Sequence, residues 1–182
     1  EKGYNMRTLI ITLLICFASY KTLADKKYPP ILTDSKDNFV NSLSYCIDWV
    51  YYDLPSDQHI PKELVIAQAA LETGWGKSRF ANEGNNLFGI RTYDKEGEWL
   101  LPIPWTKWPG WGVKKYNSRC ESVIDYVRII NELWAYEELR KVRDNNGDVY
   151  EMADKLDNYA KNPDYTVLVK SIIKNNLSEY EL

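Results

Sequence analysis

A helical hydrophobic period runs along most of this chain and fails in one stretch, and that interruption constrains the fold more than any other feature. From Thr33 the apolar positions Phe39, Val40, Leu43, Cys46, Ile47 and Val50 recur at three and four residues, the spacing of one face of an amphipathic helix. Pro61 is well placed at the first turn of a second helix, where a missing N–H is tolerated. That helix puts Leu64, Ala67, Leu71 and Trp75 on one face before Gly74 and Gly76 stop it, and a short helix over 78–83 precedes Gly84. Ser118 and Glu121 form a capping-box pattern, followed by Val123, Val127, Ile130 and Trp134 as a buried stripe. Met152–Tyr159 suggests a further helix. Pro163 starts a last one, with Tyr165, Leu168, Val169, Ile172 and Ile173 inward.

Between Gly89 and Asn117 the period disappears. Pro102, Pro104 and Pro109 exclude a helix there because each removes a backbone donor and clashes with the preceding turn. The segment Tyr93–Trp99 reads as a hairpin turn between short strands. The expected class is therefore mainly α (α+β), a helical domain with a small β-hairpin lobe inserted after the second helical region. A length of 182 residues suits one such domain, assigned to 33–182 after a linker over 25–32 that contains Tyr28-Pro29-Pro30.

The first 24 residues read differently. Glu1 is not an initiator, so residues 1–5 read as an upstream remnant. Met6 and Arg7 precede an apolar run from Leu9 to Ala18, and Thr22-Leu23-Ala24 offers a small residue at a cut. A basic start, a short apolar core and that cut are the pattern of a secretory signal peptide. The run is too short to span a bilayer, which takes roughly 20 residues, so no stable membrane span is expected after cleavage. Removing Glu1, Lys2, Arg7 and Lys21 takes the net charge from −3 to −5. An acidic chain argues against nucleic acid as a partner and gains little from long-range attraction to an anionic substrate. Export would permit a bond between Cys46 and Cys120, but each falls in an amphipathic helix, where a small buried thiol is the favoured reading. With His59 as the lone histidine and no close cysteine pair beside it, neither a metal nor another cofactor is expected.

Glu72 is the candidate for chemistry. It sits in Ala69-Ala70-Leu71-Glu72-Thr73-Gly74-Trp75-Gly76, beside the apolar stripe and among small residues at a helix end. A carboxyl group near the Trp75 indole in a partly dry site is reluctant to ionise, the state a general acid needs near neutral pH. The alternative is a helix-terminal salt bridge with Lys77 or Arg79. Asn85 and Asn86, ahead of Leu87, Phe88 and Gly89, supply amides that can bind an N-acetyl group and hydroxyls, or else satisfy their own turn. The chain has 7 Trp and 14 Tyr against 4 Phe. Trp99, Trp105, Trp108 and Trp111 crowd the interruption, where they can stack on sugar faces or pack a core.

These blocks resemble the glucosaminidase family of bacterial cell-wall hydrolases, and in order and spacing its Bax-like branch. The resemblance is carried by His59-Ile60-Pro61, by Ala67–Gly76, by Gly84-Asn85-Asn86-Leu87-Phe88-Gly89-Ile90 and by Tyr116-Asn117-Ser118. It continues in Tyr159-Ala160-Lys161-Asn162-Pro163-Asp164-Tyr165 and in Ile172–Leu177, covering roughly residues 33–178. It implies a lysozyme-like helical fold and hydrolysis of the β-1,4 bond after N-acetylglucosamine in peptidoglycan glycan strands, with amidase activity not expected. Glu72 carries over as the general acid and Tyr159 as the aromatic hydroxyl of the cleft. Trp75, Asn86 and Phe88 match positions expected to shape the cleft floor. Asn85, Tyr165 and Trp99 complete the expected substrate-binding set.

A second catalytic carboxylate would stand ~5 Å or ~6.5–9.5 Å away, according to stereochemistry. Glu98 on the hairpin is the first choice and Glu96 the next, against their reading as solvated turn charges, while attack by the sugar's own acetamide needs no second acid. The expectation is an exported, monomeric enzyme of the periplasm or cell envelope whose partner is the glycan strand. Lytic-transglycosylase cleavage and a non-catalytic peptidoglycan-binding module are the competing readings.

Overall fold

The computed structural model describes residues 27–102 and 104–182; the expected signal peptide lies outside them. Seven helices follow in the order α1 Lys36–Tyr51, α2 Lys62–Thr73, α3 Arg79–Glu83, α4 Arg119–Glu132, α5 Glu137–Asp144, α6 Val149–Ala153 and α7 Tyr165–Asn176. Between α3 and α4 lie three short strands, β1 Arg91–Thr92, β2 Trp99–Leu100 and β3 Gly112–Lys114. The class is the mainly helical α+β one expected from the period.

The centre is α2. Its residues Leu64–Ala70 are all buried, because α1, α3, α6 and α7 each pack against it. One apolar stripe would have left half of this helix wet, so α2 is a core helix and not the amphipathic one the sequence suggested. Around it, α1 presents Phe39, Val40, Leu43, Cys46 and Ile47 inward, with Ser35 accepting the Asn38 N–H at 3.0 Å as its cap. Ser118 caps α4 by accepting from the Glu121 N–H at 3.2 Å, while the Glu121 carboxylate takes the N–H of Asn117.

Three local expectations give way, and one helix forms that the sequence reading did not include. The turn over 93–99 does not join a paired hairpin: β1 and β2 both pair antiparallel with β3, in the order β1-β3-β2. Buried Val113 thus brings the segment after the prolines into the middle of the sheet. Trp134 does not continue the stripe of α4 but is 83% exposed, since the helix ends at Glu132 and the chain turns extended at Leu133. Asp148 caps α6 through the Tyr150 and Glu151 N–H groups, so that helix starts before Met152 and is over by Ala153. Tyr159 therefore stands in a turn. Helix α5 was not anticipated, its buried side being Leu139 alone.

Cys46 and Cys120 are joined, with their Cα atoms 5.9 Å apart, which replaces the reading of two buried thiols. Neither helix pattern reveals this, because the pairing depends on α1 and α4 lying side by side. Asp125, buried on α4, fastens the sheet to the helices. It accepts from Lys114 Nζ and the Tyr116 hydroxyl, each at 2.7 Å, and from Arg128 at 2.6 Å. Burial pushes this carboxyl up, but the three donors outweigh it and hold it below its usual value.

The bond spans 74 residues of sequence, and closing such a loop restricts the unfolded chain by about 2–4 kcal/mol of stability. Replacing both cysteines with alanine is expected to lower the unfolding free energy by that amount, read as a lower urea midpoint at an unchanged slope. Reduction should match it in urea titrations.

Candidate active site

Glu72 occupies the last turn of α2, half-buried, on the wall of a cleft of about 800 Å³. Its helix is stopped by a tight turn. Gly74 takes a left-handed conformation with its N–H on the Ala70 carbonyl, and the Thr73 hydroxyl accepts from the Gly76 N–H at 2.7 Å. At Gly76, where φ is +78°, a Cβ would fall 2.3 Å from the Thr33 methyl, so only glycine lets the chain pass there. The opposite wall is the turn around Gly89, also at positive φ, where an added Cβ would stand 3.4 Å from Glu72 Oε2. Backbone thus approaches the carboxyl closely.

Burial pushes the Glu72 carboxyl up from its usual value, and a hydrogen bond from Tyr165 pulls it partly back. The negative end of the α2 dipole adds to the cost of ionising a carboxyl in the last turn. Tyr165, at the start of α7, is 4% exposed, and its oxygen accepts from Gln68 Nε2 at 3.0 Å. Gln68 is fully buried, and its Oε1 accepts the hydroxyl of Tyr126. The Tyr165 oxygen has one proton, so the hydrogen-bond chain Tyr126→Gln68→Tyr165 leaves that proton for Glu72. Tyr159 stacks on Tyr165 with centroids 5.4 Å apart and donates its hydroxyl to the Phe88 carbonyl at 2.8 Å. Phe88 in turn stacks on Tyr126 at 4.2 Å. Burial raises the Tyr159 hydroxyl well above its usual value, so it stays protonated and remains a donor.

Of the residues singled out in the sequence, Glu72, Phe88 and Tyr159 line one cleft, with Tyr165 directly behind the carboxyl. The others lie elsewhere. Trp75, at φ +64°, turns its ring against Phe39 at 6.1 Å and under Lys36 Nζ, so the tyrosines and the turn at Gly89 dry Glu72 and the indole does not. Asn86 is fully buried with every polar atom used: its amide donates to the Ile90 and Lys114 carbonyls, and its Oδ1 accepts from the Phe88 and Ile90 N–H groups. It builds the cleft turn and has no capacity left for a sugar. Asn85 donates to the Tyr116 carbonyl at 2.9 Å. Trp99 packs on Trp108 at 4.5 Å within the lobe. Glu98 extends into solvent, 3.9 Å from Lys115 Nζ, and is not among the residues that line the cleft.

Gln68, Tyr126, Arg91, Asp157 and Lys161 escaped the sequence reading. Only Gln68 left a trace, as the one polar residue in the apolar run from Leu64 to Leu71. Tyr126 looks like any core aromatic, and Asp157 and Lys161 like surface charges. Among the described residues no group of three or more His, Cys, Asp or Glu could hold a metal, and no helix is long and apolar enough to cross a membrane.

The family model described as mannosyl-glycoprotein endo-beta-N-acetylglucosaminidase, the glucosaminidase family, matches residues 50–178. The chain is 28% identical over 158 residues to exo-glucosaminidase LytG of Bacillus subtilis, covering 81% of this chain and 54% of LytG. It is 37% identical over 86 residues to protein bax of Escherichia coli, covering 46% of this chain and 28% of that protein. The chain thus spans about half or less of the length of these relatives. In three dimensions it resembles the catalytic domain of the autolysin Auto from Listeria monocytogenes, with a TM-score of 0.57 over 95% of both chains at 21% identity, a likeness of fold.

Two variants test the electrostatics. A carboxyl whose folded pKa is raised binds its proton more tightly in the folded state, so its contribution to stability is present below the unfolded value and is lost as pH rises through the folded one. Glu72→Gln does not titrate. Its Tm should match the parent's in acid, exceed it increasingly above about 4.5, the usual carboxyl value, and level off once the parent's carboxyl is ionised. Tyr165→Phe removes the donor that pulls the carboxyl down, so the Glu72 pKa rises. The alkaline limb of any reaction that needs protonated Glu72 should move to higher pH, read from kcat/KM against pH.

Proposed function

The chain belongs to the glucosaminidase family, in its Bax-like branch, and from that premise we propose that it is an exported endo-β-N-acetylglucosaminidase. It cleaves the β-1,4 bond that follows N-acetylglucosamine in peptidoglycan glycan strands. The observation that carries this reading is the half-buried Glu72 carboxyl, raised by burial and held by the Tyr165 hydroxyl on the wall of a strand-sized cleft. Relatives named as glucosaminidases support the bond. A Cys46–Cys120 disulfide supports an oxidising compartment, since such bonds persist outside the reducing cytosol.

The chemistry follows from the proton inventory. Protonated Glu72 gives its proton to the glycosidic oxygen as the bond to the anomeric carbon breaks, the work of a general acid poised near neutral pH. Tyr165 keeps one carboxyl oxygen occupied, which orients the other toward the cleft, and it stabilises the carboxylate left behind. For the opposite face of the sugar, Glu98 is too far into solvent to be the partner. The substrate's acetamide then serves as the internal nucleophile, a route known among glycosidases, with Tyr159 and the Phe88 turn shaping the space it occupies. Water completes the cycle by attacking the anomeric carbon, and its proton returns to Glu72.

Glu72→Gln is expected to lower kcat on purified peptidoglycan by about 10²–10⁴-fold, while Glu98→Gln stays near the parent. Mass spectrometry of the digest should show reducing-end N-acetylglucosamine. A 1,6-anhydro end would identify a transglycosylase instead, and full turnover by Glu72→Gln would leave only a binding module. Asp157 is the other carboxylate on the cleft wall. A loss in Asp157→Asn as large as that in Glu72→Gln, with an inverted anomeric product, would replace the acetamide by a two-carboxylate route.

A further inference from the structure

Two cations, Arg91 and Lys161, line the same cleft as Glu72, and the proposed hydrolysis assigns them no part. Among the described residues neither side chain makes an ion pair or a hydrogen bond, although the chain as a whole is acidic. Several basic side chains elsewhere are engaged, Lys114 and Arg128 on Asp125, Lys62 on Asp48 and Lys170 on Asp154, while surface lysines such as Lys77 and Lys174 are as unengaged as these two. What sets Arg91 and Lys161 apart is that they line the cleft. Arg91 lies in β1, two residues beyond the Gly89 turn that touches the acid, and Lys161 lies two residues beyond Tyr159.

Arg91 is also held in place. Its guanidinium sits 4.1 Å from the centroid of the Trp111 ring, which covers one face of the planar group and leaves its edge donors open. A guanidinium fixed in this way favours a planar anion approaching in its own plane, which is the geometry of a bidentate carboxylate contact. Lys161 adds a compact positive charge without directional demand.

Resting on the reading of this cleft as a glycan-cleaving site, we propose that Arg91 and Lys161 recognise a carboxylate carried by the glycan strand. They would thereby select peptidoglycan over neutral N-acetylglucosamine polymers of the same linkage. This recognition works at short range within the cleft, so it does not need the chain's overall charge to be positive. The carboxylate has two sources in such strands: the lactyl group, free once the stem peptide is removed, and the peptide itself while it is attached.

The test uses three ligands, namely peptide-free glycan strands, peptide-bearing strands and neutral chitooligosaccharides. Each is titrated by calorimetry against the Glu72→Gln protein, alone and combined with Arg91→Gln, Arg91→Lys or Lys161→Gln. Turnover by the Glu72-intact proteins is measured in parallel. The ratio of affinity for carboxylated over neutral strands should fall about five- to tenfold in Arg91→Gln, be restored only in part by Arg91→Lys, and fall to a smaller extent in Lys161→Gln. A fall seen with peptide-free strands assigns the lactyl carboxylate, and one confined to peptide-bearing strands assigns the stem. An unchanged ratio in both glutamine variants, or affinity lost equally for all three ligands, overturns the proposal. If the Glu72-intact protein turns over none of the three while the affinity ratio still falls, the hydrolase reading fails and carboxylate selection stands; absence of binding to all three overturns both.

Discussion

A directed series of hydrogen bonds through the middle of the molecule ties the core to the chemistry. It begins at the hydroxyl of Tyr126 in α4, passes through the Gln68 amide in α2 and ends at Tyr165 in α7, which turns its proton on Glu72. Each of the first three groups is buried, and an unmet hydrogen bond in such surroundings would cost about 1–3 kcal/mol. The direction therefore cannot be reversed without leaving a donor or acceptor stranded. Three helices must keep their mutual positions for the series to close, so the placing of α2, α4 and α7 relative to one another and the state of the Glu72 carboxyl are one constraint.

The lobe is secured by two other polar devices. Asn86 uses its whole amide to join the cleft turn to β3, and Asp125 collects Lys114 and Tyr116 from the lobe side and Arg128 from its own helix. The tryptophans of the lobe have a matching structural duty. Trp99 and Trp108 pack on each other, and Trp111 supports Arg91, which gives a sheet of only seven strand residues something apolar to form on. A short sheet of this kind has little stability of its own. The clamp at Asp125 and the bond between Cys46 and Cys120 at the base of α4 make it part of the helical body.

Opposing tendencies at Glu72 give the site its character. Burial and the end of a helix disfavour the charge, while Tyr165 favours it. A carboxyl set between these influences can hold a proton for a leaving group and then tolerate losing it, which is the cycle a general acid must complete. Placing such a group at a helix stop beside a glycine turn also leaves the approach to the carboxyl clear of side chains on that side.

The sequence by itself determined the helices that carry a period of three and four, the interruption by prolines, and the acid at the end of α2. These are local signals: a stripe, a missing donor and a helix stop are each written within a few consecutive residues. It also flagged Tyr159 and Phe88, though through resemblance and not through spacing. Tertiary structure alone decided the rest, because each remaining feature joins segments far apart in the chain. The disulfide needs α1 beside α4, the sheet order needs β3 to come between two earlier strands, and Asn86 has a structural role only because Lys114 lies across from it. Gln68, Tyr126 and Tyr165 act together across 97 residues of sequence, and hydrogen bonds at that range leave no periodicity to read. Arg91 and Lys161 share a cleft for the same reason: charge records what a side chain can bind, and only the fold records what faces it.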